Sequence, residues 1–583
     1  MSNLKKIWNY LPKHRRRQFL LLLILMNIAT FAEIVSIGMV VPFLAVLIDP
    51  EQIYQHHLVQ PVVQLFDITT ASQLAFPITI IFIVIVFSAG VIRLALLYVM
   101  TRLSFIAGSD ISVDIYRKTL YQGYSVHIGR NSSEVINSIS RKTSMSIGVV
   151  RSFLTIVSSV ILLIGVMSVL IAINMKITLI MFTGIGLIYW GVIKFTRKKL
   201  KENGRCIASQ STQMIKSLQE GLGGIRDVLI DGSQQFYCQL YRNADFPLRL
   251  AAGENAFISG SPRFIIEAMG LILISIVAYF MTISGSTESI PIIGAFALGA
   301  QRLLPAIQQA YGSYSNIIGS KASFEDVLIL LDQELPDYAN QPLPAPIAFK
   351  KTIELKNIGF NYAINTPWVL KNINLKFTKG SRVGFIGTTG VGKSTLLDII
   401  MGLLDSTEGE IIIDNQRIND KNKRSWQMHI AHVPQSVFLS DGSIEENIAF
   451  GVTEEKIDHE RLVRAAEQAK ITELIGERAH GYKNIVGERG VKLSGGQRQR
   501  VGIARALYKQ ANVLIFDEAT SALDDSTERD VMNEIKELGG DLTIFIIAHR
   551  LTTLKMCDQI VKLGKNNTIL SGSYKDIIGD KEA

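Results

Sequence analysis

The chain has 583 residues, of which 48% are hydrophobic and only 19% are charged. This length argues against a single domain, and a mean hydropathy of +0.26 argues against an ordinary soluble protein. The formal net charge of +9 does not indicate a nucleic-acid partner, because many basic residues flank apolar stretches and no aromatic-plus-basic module accompanies them. Cys206, Cys238 and Cys557 have no metal-ligand spacing, which indicates reduced thiols.

Six apolar runs follow one another along the chain, each long enough to cross roughly 30 Å of hydrocarbon at about 1.5 Å per residue. A basic stretch, Lys13–Arg17, precedes the first run, which is too long for a signal-peptide core and is interpreted as a retained membrane helix. The predicted spans cover residues 19–48, 74–103, 152–173, 177–195, 264–284 and 290–318. The sequence therefore predicts an all-α transmembrane domain of six helices over residues 1–320.

Basic residues in the loops predict the orientation of these spans. Residues 49–92 contain no Lys or Arg, whereas 109–151 and 196–263 contain many, so both termini are expected in the cytoplasm and the protein in the inner (plasma) membrane. The two basic stretches have little proline, so helices are expected to continue into the cytoplasm. On the outer side, residues 56–66 are predicted to form either a short surface helix or an ordered loop.

After the sixth span the composition changes. Prolines at positions 336, 342, 344 and 346 predict a linker over residues 321–346. Residues 347–583 then show amphipathic helices and short apolar runs typical of buried strands, which predicts an α/β domain. These runs are Ile411–Ile413, Val513–Phe516 and Ile544–Ile547.

A glycine-rich segment between a predicted strand and a predicted helix has the P-loop pattern in its required context. Its residues are Gly387, Thr388, Thr389, Gly390, Val391, Gly392, Lys393, Ser394 and Thr395. Backbone N–H groups of such a loop surround phosphates, and the following helix N-terminus adds a favourable dipole. Lys393 is expected to bind the β- and γ-phosphates and Ser394 to ligate Mg²⁺, so ATP and Mg²⁺ are the predicted cofactors.

An apolar strand further along the chain ends in two acids, Asp517 and Glu518. A carboxylate at the end of a buried strand can hold magnesium, which is the role predicted for Asp517. Glu518 is placed to orient and deprotonate the attacking water. Two acids at a strand end alone are weak support, but together with the P-loop they indicate ATP hydrolysis.

The segment Leu493–Gln497 resembles the signature of ABC ATPases, and Val486–Gly490 just before it resembles the X-loop of ABC exporters. Gln435 resembles the Q-loop glutamine, Ser521–Asp524 the D-loop, and His549 the switch histidine. The resemblance implies one half of an ABC exporter, in which a six-helix membrane domain is fused to an ATPase domain.

The resemblance also implies roles for individual residues. Nucleotide contacts are implied for the P-loop residues, for Tyr362 against adenine, and for Ser494, Gly495, Gly496 and Gln497 of the signature. Catalytic roles are implied for Glu518, His549 and Gln435, and magnesium ligation for Ser394, Gln435 and Asp517.

Because the chain has one copy of each motif, it is expected to pair with itself as a homodimer. The turns near Val126–Ser133 and Asp227–Gln235 resemble exporter coupling helices. An ATP-gated channel or regulator is the alternative of another class.

Charged residues inside apolar spans point to the transported substrate, because each is costly to insert. Arg93, Arg263 and Arg302 are the candidate substrate residues, since a guanidinium binds phosphate oxygens bidentately. The alternative is a structural role in which Arg93 and Arg302 pair with Glu33 or Glu267.

The sequence segments around these charged residues are similar to those of PglK-type flippases. The segments that carry this similarity are Glu33–Phe43, Pro262–Glu267 and Arg302–Pro305. The similarity implies, as partners, membrane lipids and a lipid-linked oligosaccharide, a polyprenyl-pyrophosphate glycan used in protein glycosylation and moved from the inner to the outer leaflet. Another amphipathic lipid, a hydrophobic drug or a peptide is the alternative substrate.

Overall fold

The computed structural model divides into two compact units. Unit 1 comprises Met1–Gln122 and His127–Pro336, and unit 2 comprises Gly123–Val126 and Asp337–Ala583. The residues that the structure describes are 2–48, 50–54, 60, 64, 69–173, 175–283, 289–363, 366–519, 524–537, 541–548, 550–564 and 568–579.

Unit 1 is helical throughout its regular segments. Its α-helices are Ser2–Tyr10, Lys13–Gly38, Val40–Ile48, Pro50–Tyr54, Ala75–Leu120, Ser132–Asn137, Thr143–Ile173, Met175–Gly223, Ile225–Ile230, Gln234–Gly260, Pro262–Ile283, Ser289–Gly319 and Lys321–Leu331, with Tyr124–Ile128 crossing the division between the units. A 3₁₀ turn at Ala71–Leu74 precedes the fifth of these, and a π-helical turn at Ser138–Lys142 precedes Thr143–Ile173.

Among the residues that the structure describes, four helical segments are long and apolar enough to cross a membrane: Lys13–Leu47, Ala71–Leu120, Ser132–Ala172 and Thr178–Gly223. The fifth and sixth predicted spans coincide with the helices Pro262–Ile283 and Ser289–Gly319, in which many side chains lie outside the described residues. The predicted class, a helical unit fused to an α/β unit, is confirmed by the two units.

Two of the membrane helices are much longer than a bilayer requires. Ala75–Leu120 has 46 residues and Met175–Gly223 has 49. At about 1.5 Å per residue each is about 70 Å long, more than twice the roughly 30 Å of hydrocarbon. The first span, in contrast, is interrupted at Met39. The cause is Pro42, because proline has no backbone N–H to donate and its ring clashes with the preceding helical turn.

The predicted linker 321–346 begins with a helix, Lys321–Leu331, which packs inside unit 1. Its apolar residues recur at helical spacing and are buried: Phe324, Val327, Leu328 and Leu331. They lie in one hydrophobic cluster with Ile111 and Ile115 of the helix Ala75–Leu120. The prolines therefore mark only the second part of the predicted linker, because burial of an apolar face stabilises the first part as a helix.

The described residues of unit 2 form two sheets. The strands are β1 Thr352–Phe360, β2 Leu370–Thr378, β3 Arg382–Ile386, β4 Glu408–Ile413, β5 Gln416–Arg417, β6 Ile430–Val433, β7 Val513–Asp517, β8 Thr543–Ile547, β9 Gln559–Leu563 and β10 Ile569–Gly572. One sheet is antiparallel with the order β2-β1-β4-β5. The other has the order β10-β9-β3-β8-β7-β6, and all its pairs except β9–β10 are parallel.

Helices cover the parallel sheet, whose central strands are buried on both faces as continuous apolar runs. The α-helices of unit 2 are Lys393–Ile400, Lys423–Gln427, Ile444–Ile448, His459–Gln468, Thr472–Gly476, Gly495–Tyr508, Asp525–Glu537, Leu551–Leu554 and Tyr574–Ile578. Two large hydrophobic clusters form the core. This arrangement places the carboxyl ends of the parallel strands β3 and β7 at one edge, where open α/β sheets bind ligands.

Candidate functional site

The P-loop joins the end of β3 to the helix Lys393–Ile400. Three of its glycines have positive φ: 151° at Gly387, 83° at Gly390 and 98° at Gly392. A Cβ atom at Gly387 would lie 2.4 Å from the carbonyl oxygen of Leu563. The loop therefore needs glycine both for its backbone angles and for its close approach to β9.

Lys393 is buried, and its ammonium group points into the loop. Its Nζ donates hydrogen bonds to the carbonyl oxygens of Gly387, at 2.8 Å, and Thr388, at 3.2 Å. The cation that is predicted to bind phosphates thus lies at the centre of the loop that would surround them.

Ser394 and Asp517 bring two oxygen atoms together at the end of β7. The Ser394 hydroxyl donates to Oδ1 of Asp517 at 3.3 Å. Burial raises the pKa of the Asp517 carboxyl, the hydrogen bond from Ser394 opposes the rise, and the charge of Glu518 adds to it. A half-buried carboxylate beside a hydroxyl is a suitable pair of oxygen ligands for Mg²⁺, whose charge would favour the ionised form.

Gln435 and Glu518 form a second pair at the same edge of the sheet. Gln435 Nε2 donates to Oε2 of Glu518 at 2.8 Å. Glu518 has a φ of 51°, in the left-handed region that a glutamate rarely adopts. Such strain is typical of functional positions. The structure therefore brings Ser394, Asp517, Gln435 and Glu518 together, as the sequence motifs predict.

A cavity of about 710 Å³ adjoins the P-loop. Its lining includes Tyr362, Trp368 and Gly564 together with P-loop residues. The Tyr362 ring is 54% exposed, and its hydroxyl shares a hydrogen bond with the Thr395 hydroxyl at 3.0 Å. Sequence analysis missed Trp368 and Gly564, which belong to no motif. An aromatic residue just before β2 was the one available signal for Trp368.

The signature residues form the start of the helix Gly495–Tyr508. Ser494 caps this helix: its hydroxyl accepts from the Gln497 N–H at 3.2 Å, and the Gln497 side chain accepts from the Ser494 N–H at 2.9 Å. Ser494 and Gly495 are exposed, and Gly496 is half-buried. The capped helix end is therefore open to a ligand that approaches along the helix axis.

His549 and residues 521–523 of the predicted D-loop lie outside the described residues. The helices that follow them, Leu551–Leu554 and Asp525–Glu537, are joined by the buried Glu528. Its carboxylate accepts hydrogen bonds from Arg550 at 2.6 Å and from the Thr553 hydroxyl at 2.5 Å. Sequence analysis missed Glu528, because nothing in a polar helix distinguishes a buried acid from a solvated one.

In unit 1, the carboxylate of Glu33 pairs with two of the predicted arginines. Its Oε1 lies 3.3 Å from a terminal nitrogen of Arg93, and its Oε2 lies 3.5 Å from Nε of Arg302. Glu33 is 4% exposed. Three different helices contribute these residues. The cluster carries one net positive charge, because two guanidinium groups share one carboxylate.

Arg263 lies in a different environment. Its Nε pairs with Oε1 of Glu267, one helical turn away, at 2.7 Å. Both residues line a cavity of about 610 Å³ that also includes Gln301 and Gln308. The structure thus divides the three predicted arginines into a cluster around Glu33 and a separate pair at this cavity. Of the predicted outer helix 56–66, only residues 60 and 64 are described.

A P-loop ATPase unit joined to long apolar helices defines a membrane-embedded ATPase. The family profile described as "ABC transporter" matches residues 370–521, and the one described as "ABC transporter transmembrane region" matches residues 19–299. The chain belongs to the ABC transporter family.

Relatives match both units. The ATP-dependent lipid A-core flippase of Desulfotalea psychrophila is 30% identical over 86% of this chain and 87% of its own length. The β-(1→2)glucan export ATP-binding/permease protein NdvA of Agrobacterium vitis is 27% identical over 82% and 81%. The structure of a bacterial Atm1-family ABC exporter with ATP bound has the same fold, with a TM-score of 0.78 at 23% identity over 97% of this chain and 96% of that one.

These similarities confirm that the chain is an ABC exporter, a membrane protein that couples ATP hydrolysis to transport.

Proposed function

We propose that the exporter flips a polyprenyl-pyrophosphate-linked oligosaccharide from the inner to the outer leaflet. The observation that carries this proposal is the net positive charge of the Arg93–Glu33–Arg302 cluster. A charge inside a membrane span is costly unless an anion balances it, and a pyrophosphate group provides one. Two relatives, a lipid A-core flippase and a glucan exporter, are consistent with a glycan-bearing substrate.

The cavity beside Arg263 adds room for a polar headgroup. Its volume of about 610 Å³ is within the range of small-molecule sites, and amide side chains in its lining suit sugar hydroxyls. Arg263 remains paired with Glu267 on the exposed side of this cavity. We assign it the first contact with the headgroup, before the headgroup reaches Arg93 and Arg302.

ATP drives the cycle in a homodimer. In this proposal two copies of unit 2 face each other, so that Ser494 and the signature glycines of one copy meet the γ-phosphate held by Lys393 of the other. Ser394, Gln435 and Asp517 would hold Mg²⁺, which would supply positive charge beside the phosphates. Glu518 takes the proton from the attacking water, and His549 contacts the γ-phosphate. Both termini lie in the cytoplasm, below the inner membrane.

We assign the turns near Val126–Ser133 and Asp227–Gln235 to the transmission of ATP-driven movement to the spans, because they resemble the coupling helices of ABC exporters.

Reconstitution tests the proposal. Purified protein in vesicles receives a labelled polyprenyl-pyrophosphate oligosaccharide in one leaflet, and its ATP-dependent appearance in the other leaflet is measured. We expect flipping that Glu518→Gln abolishes, and that Arg93→Leu or Arg302→Leu reduces at least tenfold. Arg102→Leu is the matched control, because Arg102 lies on the same helix as Arg93 and contacts Tyr98 instead of Glu33.

Two outcomes would contradict different parts of the proposal. If the arginine variants flip the lipid at the normal rate, the pyrophosphate role fails. If lipid A or hydrophobic drugs stimulate ATP hydrolysis and the oligosaccharide lipid does not, the substrate class is wrong and the exporter remains.

A further inference from the structure

A cavity of about 380 Å³ lies in unit 2, away from the nucleotide motifs. Ala431 near the start of β6, Leu514 near the start of β7 and Leu542 just before β8 contribute to its wall. Gln435 and Glu518 follow the opposite, carboxyl ends of β6 and β7. The cavity is therefore at the amino-terminal edge of the parallel sheet, and the P-loop at the other edge.

Two arginines dominate the charge of this cavity. Arg461 and Arg464 lie three residues apart on the helix His459–Gln468 and therefore on one face of it. Within the described residues, neither guanidinium forms an ion pair with a carboxylate. Asp541, the acidic residue of the lining, pairs with Lys379 at 3.4 Å. The wall thus has an excess of positive charge.

The Arg461 side chain is held in place, but one of its hydrogen-bond donors lacks a partner among the described residues. Its guanidinium lies over the ring of Tyr508, 4.8 Å from the centroid. Its Nε is buried and has no hydrogen-bond partner among the described residues. A buried donor without a partner is rare in folded proteins, because it loses its hydrogen bonds to water without replacement. An anion that accepts from the other N–H groups of the Arg461 guanidinium would offset part of this cost.

The rest of the lining suits a small molecule. Gln468 and Gln510 add amide groups, and alanine and leucine side chains form an apolar floor. The volume is within the range of small-ligand sites. A planar guanidinium that is stacked on an aromatic ring presents its N–H groups in a fixed fork, which matches the oxygens of a phosphate.

We infer that this cavity binds a small phosphate-bearing anion through Arg461 and Arg464, at a regulatory site separate from the ATP site. Bound anion joins the helix His459–Gln468 to the end of the signature helix, because Tyr508 is the last residue of Gly495–Tyr508. The Tyr508 hydroxyl already accepts a hydrogen bond from the backbone N–H of Asp458, at 3.1 Å. Occupancy therefore stabilises the packing behind the signature.

The test uses the full-length Glu518→Gln variant in detergent with saturating Mg-ATP, so that phosphate cannot enter the P-loops. Inorganic phosphate and pyrophosphate are then titrated by calorimetry, and the unfolding temperature is recorded. We expect saturable binding with a rise in the unfolding temperature. Adding Arg461→Gln and Arg464→Gln should weaken binding at least tenfold. Lys371→Gln with Lys575→Gln removes the same charge from exposed positions elsewhere in unit 2 and should leave binding unchanged.

The single variant Arg464→Gln controls for a folding defect in the double variant. Arg464 is exposed at the surface, so its substitution should leave the fold intact. A well-folded Arg464→Gln protein with several-fold weaker binding supports the site. The absence of saturable binding in the parent protein would overturn the inference. So would binding that the arginine variants retain, or binding that the lysine control loses equally, since the effect would then come from overall charge.

Discussion

Asp414 shows how one side chain can hold a strand in position. Its carboxylate accepts hydrogen bonds from the backbone N–H groups of Lys350, Lys351 and Thr352, the last two at 2.8 Å and 2.7 Å. Burial acts to raise the pKa of Asp414, but the three donors outweigh it and hold this pKa below its usual range. The ionised carboxylate therefore stabilises the start of β1.

We predict that Asp414→Ala lowers the free energy of unfolding by about 1 kcal/mol at neutral pH, a small value because the carboxylate is only half-buried. Because the pKa of Asp414 is lower in the folded than in the unfolded protein, its ionisation stabilises the folded protein. This stabilisation is fully present at a pH above the unfolded-state pKa of about 3.9, and it is lost as the pH falls through the lower folded-state pKa. Thermal unfolding of both proteins from pH 7 to pH 3 measures the difference. A gap that stays constant over this range would contradict the assignment.

The cysteines differ sharply in their surroundings. Burial raises the pKa of Cys557 to about 12, whereas Cys238 is exposed. Because the thiolate is the reactive form, we predict that iodoacetamide at pH 8 labels Cys238 rapidly and leaves Cys557 unmodified in the folded protein. Mass spectrometry measures the labelling, and Cys238→Ser is the control that should lose the fast phase. Fast labelling of Cys557 would contradict its burial.

At the scale of elements, Glu528 joins two helices that each follow a nucleotide motif. It is 4% exposed, and its partner Arg550 is adjacent to His549 in the chain. Glu528 is therefore a positioning residue. It fixes the helix Leu551–Leu554, which begins two residues after His549 in the chain.

We predict that Glu528→Gln lowers kcat for ATP several-fold and leaves KM within about twofold, since the P-loop does not depend on it. The loss of a buried charge partner should also reduce the free energy of unfolding by about 2 kcal/mol, less than for a fully buried pair because Arg550 is partly exposed. Steady-state ATP hydrolysis and thermal unfolding measure the two effects. Asp530→Asn, an exposed position on the same helix, is the control and should change neither.

Some elements could be predicted and others could not, for physical reasons. The P-loop was predictable because phosphate binding requires glycine at positions such as Gly387, whatever the rest of the fold. The helix Lys321–Leu331 was missed because the prolines after it dominated the interpretation. Its apolar spacing was visible, but only the surface on which it packs decides whether such a short segment forms a helix.

On the scale of the whole molecule, Glu33 ties three membrane helices together through Arg93 and Arg302. In the sequence, pairing of these arginines with Glu33 or Glu267 is the structural alternative to substrate contact, and the choice between the two acids stays open. That choice depends on how each helix is rotated about its axis, which apolar runs do not determine. The domain boundary, in contrast, is predicted from an abrupt change in composition.

We predict that Glu33→Gln lowers the free energy of unfolding by about 3 kcal/mol, because two guanidinium groups lose their shared carboxylate. Glu267→Gln is the matched control. Its partner Arg263 is one turn away on the same helix and largely exposed, so the loss should be much smaller than for Glu33→Gln. Thermal unfolding in detergent compares the variants. Equal losses would contradict the central position of Glu33.

The continuous helices Ala75–Leu120 and Met175–Gly223 also have a mechanical consequence. A rigid rod about 70 Å long acts as a lever, and a tilt of about ten degrees at one end displaces the other by about 12 Å. A small tilt at one end can therefore open or close a gap of this width at the other end. An inserted proline or a pair of glycines midway would add a joint to the lever and uncouple its two ends.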